Sequence, residues 1–336
     1  MKYILKLIAP FILFLFIFSS CEKNSDLLNY GQNMTPTGLN VELRKTSYPP
    51  FITGDKIEFS FAAGSPTEGT LSKLEVTASI AGALGTKLDL QGRYFNWVTG
   101  MDDVYNVFKD TLNTGNITSG NYVDTIAATA RYTYVIPTEA RGKKISLTFK
   151  VSTVSKSVSQ TVDYTVSNII MNKGVVIQTA TVDGTGKAFF SIADGKAYSR
   201  TEVEAGNLQK SIDFVYVVEP LGPGTSWKLN SAILAPANQY MPVGLLGASW
   251  TDKNASAIET KNWEDFQLMG SGRLNMVSDL DFQQASIVTN TLMAINLAVD
   301  SRALVKSADG KWIALVWVKT VDNSNLVFNI KKYQLK

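Results

Sequence analysis

Residues 144–152 read Lys-Ile-Ser-Leu-Thr-Phe-Lys-Val-Ser, and apolar and polar side chains alternate through the stretch. Successive side chains of a β-strand point to opposite sides of its sheet, so the apolar residues share one face. These residues are Ile145, Leu147, Phe149 and Val151. A strand with one apolar and one polar face is typical of an antiparallel sheet that covers a core on one side. The stretch therefore predicts an all-β fold.

The same alternation recurs on both sides of this strand. It is found at residues 39–44, 57–61 and 74–78, and further strands are predicted at 124–135 and 157–166. Strands of this length with turn residues between them predict a seven-stranded β-sandwich. Residues 134–137 and 140–147 resemble the late crossover of bacterial immunoglobulin-like domains, and this resemblance implies an immunoglobulin-like sandwich over residues 38–168.

Residues 101–112 interrupt this pattern, because their apolar side chains recur at the spacing of one helix face. These side chains are Val104, Tyr105, Phe108 and Leu112. Thr99 precedes them as a candidate N-cap, and two acidic residues follow in the first turn. We expect one short helix packed on a sheet edge.

The second half also reads as β-structure. Residues 189–198 form a predicted hairpin across an Asp194-Gly195 turn. Further strands are predicted at 212–218, 231–234, 292–299, 303–306, 312–319 and 326–333. A helix capped by Thr260 would carry Trp263, Phe266 and Met269. With a junction near 167–174, residues 169–336 are predicted to form a second β-rich sandwich or jelly-roll-like domain with one or two short helices.

Two tryptophans of the second half share one predicted strand. Trp312 and Trp317 fall on its opposite faces, so at most one of them is expected in the core.

The N-terminus has the form of a bacterial lipoprotein signal. Two lysines precede an apolar run at residues 7–18, and Ser19 and Ser20 precede Cys21, the only cysteine. The run is too short for a spanning helix, which predicts cleavage of a signal peptide, residues 1–20, and lipid attachment to Cys21. Residues 21–37 lack periodicity and are expected to form a tether. The expected partner is a membrane, reached through the lipid.

Composition excludes several classes of function. Loss of Lys2 and Lys6 with the signal peptide takes the formal charge from +3 to +1, and basic residues are scattered, so no nucleic-acid partner is expected. The chain contains no histidine, which excludes Ser-His-Asp, Cys-His and His-ligated metal chemistry. We expect no cofactor and no metal site.

Several motifs carry a family resemblance. Residues 190–196, 211–216, Ala235-Pro236 and 309–312 resemble the C-terminal β-rich domain of two-domain surface lipoproteins of Bacteroidota. The relaxed cleavage motif, with Phe18 three residues before the cysteine, is similar to that of Bacteroidota lipoproteins. The family has no settled activity. The resemblance implies an association with glycan-acquisition systems and an outer-membrane lipoprotein, exposed at the cell surface.

Candidate glycan-binding residues follow from chemistry. Sugars are bound by flat aromatic faces with amides beside them. The candidates are Asn96, Trp97, Trp227, Tyr240 and Trp250, all in predicted loops or irregular segments. The competing interpretation is that a loop tryptophan plugs the end of a sandwich core.

Carboxylate chemistry is the remaining catalytic alternative, because a glycosidase needs two acids about 5–10 Å apart. The sequence pairs are Asp102-Asp103, Glu264-Asp265, and Asp279 with Asp281. Helix starts account for the first two pairs and a turn for the third. Asp213 stands in an apolar strand, where we expect it to face solvent; otherwise it needs a hydrogen-bond partner or a raised pKa.

The sequence thus predicts a non-catalytic, lipid-anchored envelope protein that binds a glycan or an envelope protein. The alternatives are a carboxylate-dependent glycan hydrolase and a structural adhesin or fimbria-like subunit.

Overall fold

The computed structural model describes residues 39–45, 47–218, 231–261, 276–287 and 291–335. Its regular structure is almost entirely β-strand, arranged in antiparallel sheets with two short α-helices. The all-β prediction is confirmed.

The N-terminal half is built from two main sheets. Its strands are β1 (Asn40–Lys45), β2 (Lys56–Gly64), β3 (Leu71–Ala78), β4 (Lys87–Leu88), β5 (Gln91–Asn96), β6 (Met101–Asn106), β7 (Phe108–Thr114), β8 (Ile117–Tyr122), β9 (Ala127–Val135), β10 (Lys144–Thr153) and β11 (Ser157–Thr165). One sheet has the order β1-β2-β9-β4 and the other β11-β10-β3-β8-β7, while β5 and β6 form a separate hairpin.

The core of this half lies between the two sheets. The four apolar residues of β10 are fully buried, as their alternation predicts. The Phe149 ring lies 5.2 Å from Phe59 and 5.6 Å from Phe61, both on β2 of the opposite sheet. Aromatic contacts across the sandwich thus fix the packing of one sheet on the other.

The helix predicted at 101–112 is wrong. The segment forms β6 and β7, and β6 pairs with β5 in the register Arg93↔Val104. The residues assigned to one helix face lie in different surroundings, since Phe108 is buried against Tyr122 whereas Leu112 is exposed. Cross-strand pairing with β5, which local spacing cannot reveal, decides the structure here.

The C-terminal half also has two sheets. Its strands are β12 (Ile170–Gln178), β13 (Phe189–Ser191), β14 (Lys196–Tyr198), β15 (Phe214–Val217), β16 (Ala232–Leu234), β17 (Ala257–Thr260), β18 (Met293–Ile295), β19 (Arg302–Lys306), β20 (Trp312–Val321) and β21 (Asn325–Gln334). The sheet orders are β12-β21-β20-β19-β17 and β14-β13-β15-β16-β18. The hairpin β13–β14 is the one predicted across Asp194-Gly195.

Among the described residues, two short α-helices accompany these sheets, α1 (Arg200–Ala205) and α2 (Asp279–Gln284). Each begins with a capping box, formed by Ser199 with Glu202 and by Ser278 with Asp281. The helix predicted after Thr260 lies outside the described residues beyond that cap, and Thr260 itself ends β17. No helix within the described ranges has the length and apolar character needed to cross a membrane.

The sheet containing β20 is covered on both faces. Trp312 packs against the core between the two sheets, and Trp317 belongs to a second apolar cluster on the other face. The Trp317 indole also donates to the Asp300 carboxylate at 3.0 Å. Trp317 is 9% exposed and Trp312 is only half-buried, so the expectation that at most one of them lies in the core agrees with the structure. The outer face of the sheet is covered by α2 and the start of β12.

The two halves meet at a hydrogen-bonded junction. Ile52 of the first half joins the apolar cluster that contains Phe282 of α2. The Asp279 carboxylate accepts hydrogen bonds from the Ser167 hydroxyl and, at 3.1 Å, from the Asn168 backbone N–H. Asp279 was predicted in a turn, but it opens α2 and ties the junction to it.

Candidate functional site

A cavity of about 400 Å³ opens at one end of the C-terminal sandwich. It is lined by the loop after β16 and by the start of β18, namely Ala237, Asn238, Gln239, Tyr240, Thr291, Leu292 and Met293. We call it the Tyr240 pocket. Its volume falls in the range of about 300–1,000 Å³ that is usual for small-ligand sites.

Asn238 builds the wall of the Tyr240 pocket. Its side-chain oxygen accepts from the Tyr240 backbone N–H at 2.8 Å, and its amide nitrogen donates to the Leu292 carbonyl at 3.1 Å. With both ends of the amide engaged, Asn238 fixes the loop against the neighbouring strand. Gln239 is exposed and Tyr240 half-buried, which leaves an amide and an aromatic ring facing the opening.

Trp250 lies in the core instead of at the surface. It is 3% exposed, and its ring centroid is 5.4 Å from that of Phe189. Tyr240 packs against the same apolar cluster. Trp250 therefore supports the pocket from inside the fold and cannot offer a face to a sugar. For this residue the competing interpretation, a plug in the sandwich core, describes the structure.

Trp97 and Asn96 occupy the turn of the β5–β6 hairpin. Trp97 is 88% exposed. The Asn96 amide donates to the Asp103 carboxylate at 2.6 Å and accepts from the Val98 backbone N–H at 2.9 Å. Asn96 thus shapes the turn, and Trp97 projects from it. These residues belong to the N-terminal half, so the predicted candidates do not form one site.

The remaining candidates, Cys21 and Trp227, lie outside the described residues.

A second cavity, of about 460 Å³, lies beside the base of the same hairpin. We call it the Arg93–Arg131 pocket. It is lined chiefly by Lys87, Asp89, Leu90, Gln91, Arg93 and Arg131. The sequence did not predict this pocket. One wall is the β5–β6 hairpin, and β6 lies in the segment 101–112 that was predicted to be helical.

Asp213 is the most unusual acid among the described residues. It is 3% exposed, which corrects the expectation that it faces solvent. Its carboxylate accepts from the Ile192 backbone N–H at 2.7 Å and from the Ser256 hydroxyl at 2.9 Å. Burial raises its pKa to about 6, and the carboxylates of Asp309 and Asp194 add to that rise.

A buried lysine lies near this acid. The Lys332 ammonium donates to the carbonyls of Ile192 at 2.9 Å and Ala193 at 2.7 Å, and it lies 5.2 Å from the centre of the Trp312 ring. Burial lowers its pKa, and the nearby Asp194 and Asp213 oppose that change. The motifs 190–196 and 211–216 thus meet in one hydrogen-bonded network, and Trp312 of the motif 309–312 contacts it through the Lys332 ammonium.

The other acid pairs have structural roles where they are described. Asp102 and Asp103 are neighbours on β6 and so point to opposite faces. Asp279 and Asp281 serve the junction and the cap of α2. Glu264 and Asp265 lie outside the described residues. Within the described ranges, no group of three or more acidic or cysteine side chains is placed to hold a metal ion.

Comparisons with known proteins match the chain to two family models. Residues 36–169 match the model of DUF4466, a domain of unknown function, and residues 171–335 match the model of DUF8576, also a domain of unknown function. The chain is similar to a DUF4466 family protein of known structure from Parabacteroides merdae ATCC 43184, with 29% identity and a TM-score of 0.71. That match covers 89% of this chain and 99% of the other. The likeness to a protein from Bacteroidota is thus shown over most of the chain.

Two further solved structures align with part of the chain. A family 123 glycoside hydrolase from Clostridium perfringens is 14% identical over 39% of this chain and 28% of its own, with a TM-score of 0.26. The Reelin-N domain of F-spondin is 12% identical over 39% of this chain and 89% of its own, with a TM-score of 0.24. No curated protein matches the chain.

Proposed function

We propose that this chain is a lipid-anchored, non-catalytic protein of the cell envelope that binds a glycan in the Tyr240 pocket. The observation that carries the proposal is the pocket itself, a cavity of about 400 Å³ lined by the aromatic ring of Tyr240 and the exposed amide side chain of Gln239. A sugar can stack its C–H face on Tyr240 while a hydroxyl pairs with Gln239.

The rigidity of the pocket supports this proposal. Asn238 ties the loop to the Leu292 carbonyl, and Trp250 fills the core beneath. A preformed site loses little conformational entropy when a ligand binds, which favours affinity from a few contacts. The hydrolase alternative receives less support, since the acid pairs that the structure describes serve turns, caps and the junction.

Tyr240→Ala is expected to weaken glycan binding by at least tenfold, because removal of an aromatic binding contact costs about 1–4 kcal/mol. Wild type is first screened on a glycan array, and the best glycan is then titrated by calorimetry. Tyr240→Phe keeps the ring and should retain most of the affinity. The exposed Tyr48→Ala, in the other half, is the matched control.

Two results would contradict the proposal. One is a wild-type protein that binds no glycan on the array. The other is a Tyr240→Ala variant that binds as tightly as wild type while its thermal unfolding is unchanged.

The anchor is the second part of the proposal. Cys21 and the expected tether, residues 21–37, lie outside the described residues, and the first described strand begins at Asn40. Several acyl chains on one cysteine, each worth about 0.8 kcal/mol per buried methylene, would hold the protein on a membrane.

Cys21→Ser is expected to move the protein from the membrane fraction to the soluble fraction, because serine cannot carry the thioether-linked lipid. Fractionation of expressing cells and labelling with radioactive palmitate measure the change. Ser25→Ala, in the expected tether, should leave both readouts unchanged. If the Cys21→Ser variant stays in the membrane fraction, the proposal of a single lipid anchor is wrong.

A further inference from the structure

One wall of the Arg93–Arg131 pocket is the β5–β6 hairpin, which packs against the N-terminal sandwich. Within the β5–β6 hairpin, Gly92 faces Tyr105, and a Cβ atom at Gly92 would lie only 2.8 Å from the Tyr105 ring. Tyr105 in turn packs against the core of the N-terminal sandwich. Glycine at position 92 therefore leaves room for the Tyr105 ring to lie between the hairpin and the sandwich. The opposite face of the hairpin, with Gln91 and Arg93, lines the pocket.

The floor of the pocket is tied to the sheet edge. The Asp89 backbone N–H donates to the Arg131 carbonyl at 2.9 Å, which joins the end of β4 to β9. The two arginines therefore approach the cavity from different elements, one from the hairpin and one from the sandwich. Such an arrangement can clamp a group between them.

The charges of the pocket are not balanced. The Lys87 ammonium is paired with the Asp89 carboxylate at 2.8 Å. Arg93 and Arg131 make no ion pair and no side-chain hydrogen bond within the described ranges. Two guanidinium groups that share a cavity repel each other unless an anion lies between them, and their planar forks match the oxygens of a carboxylate or a sulfate.

The rest of the lining indicates the chemistry of the ligand. Leu90 and Val104 are partly exposed and offer apolar contacts. The Gln91 amide nitrogen donates to the Asn106 side chain at 3.3 Å, which leaves the Gln91 carbonyl oxygen able to accept from a hydroxyl group. A ligand that fits this lining has a C–H face, hydroxyl groups and an acidic group.

We propose that the Arg93–Arg131 pocket binds an acidic sugar, whose carboxylate or sulfate lies between the two guanidinium groups. The cavity of about 460 Å³ holds one or two sugar rings. This site is separate from the Tyr240 pocket and lies in the other sandwich, so each proposal can be tested independently of the other.

The test uses pairs of probes that differ only in charge. Trigalacturonate is compared with its methyl ester, and galactose 6-sulfate with galactose, by calorimetry at low salt. Wild type should bind at least one acidic probe at least tenfold more tightly than its neutral counterpart, and the probe that binds identifies the oxyanion as carboxylate or sulfate. Raising the salt concentration should weaken that binding.

Variants then locate the site. Arg93→Gln and Arg131→Gln should each lower the affinity for the acidic probe at least tenfold, and the double variant should abolish binding. Both side chains are exposed, so thermal unfolding should be unchanged. Arg141→Gln, also exposed, should bind the acidic probe as wild type does.

The proposal is overturned if wild type binds neither acidic probe, or binds the neutral probes equally well. It is also overturned if the Arg93→Gln, Arg131→Gln double variant retains wild-type affinity, or if Arg141→Gln loses as much.

Discussion

Trp250→Ala is expected to lower the free energy of unfolding by about 3–5 kcal/mol, the usual cost of deleting a buried aromatic side chain. The indole is 3% exposed and packs on Phe189 within a cluster that includes residues of β13, β15 and β16. Alanine would leave a cavity between the central sheet strands and the loop that carries Trp250. Chemical denaturation followed by circular dichroism measures the change.

The chain supplies a matched control for this prediction. Trp97 is 88% exposed, so Trp97→Ala should change the free energy of unfolding by less than about 0.5 kcal/mol. Trp250→Phe should cost clearly less than Trp250→Ala, because it keeps most of the volume and removes an indole N–H that has no hydrogen-bond partner in the described structure. Equal losses for Trp97→Ala and Trp250→Ala would contradict the assignment of Trp250 to the core.

The strands of this protein could be predicted because alternation is a local property. In β10 each second side chain is buried, and the sequence shows that pattern directly. The helix predicted for residues 101–112 was wrong because the structure of this segment depends on pairing with β5, which lies in another stretch of the chain. Alternation also does not show whether one or both faces of a sheet are covered, so the second apolar cluster around Trp317 could not be predicted from the sequence.

The candidate sites could be predicted only in part. Tyr240 was chosen as an aromatic residue in an irregular segment, and the structure places it at a pocket. Trp250 was chosen for the same reason. A tryptophan in a loop can either bind a ligand or fill the end of a core, and the sequence does not distinguish these two roles. Arg93 and Arg131 lie on β5 and β9, which are distant in sequence, and only the fold brings them to one pocket. Neither arginine could therefore be singled out from the sequence.

Asp213 was correctly recognised as unusual, although its environment was not. An acid flanked by apolar residues on a strand is exposed when one face of the sheet is solvated. Here both faces of the sheet are packed, so Asp213 is enclosed with Ile192 and Ser256. The apolar neighbours in the sequence therefore identified Asp213 as unusual, and its burial between packed sheets raises its pKa.

The stability of the protein should depend on pH through Asp213. Its pKa is about 6 in the folded protein and near the ordinary value of 3.8 in the unfolded chain. Between these values the folded state binds more protons than the unfolded state, so this group contributes less stability as pH rises through the window. From pH 4.5 to 7.5 the loss amounts to about 2 kcal/mol.

Asp213→Asn should remove this dependence. Its side-chain oxygen can accept from the Ile192 N–H while its amide donates to the Ser256 hydroxyl, as a protonated carboxyl would. We therefore expect the stability of Asp213→Asn relative to wild type to improve by about 2 kcal/mol between pH 4.5 and 7.5. Urea denaturation of both proteins across that range measures the difference.

The comparison with wild type isolates Asp213 from the other titrating acids. Burial also raises the pKa of Asp55, whereas hydrogen bonds lower the pKa of Asp163 and Asp183, and these contributions are common to both proteins. If the difference between Asp213→Asn and wild type does not change with pH, Asp213 is ionised at no cost and its burial has been offset by the hydrogen bonds from Ile192 and Ser256.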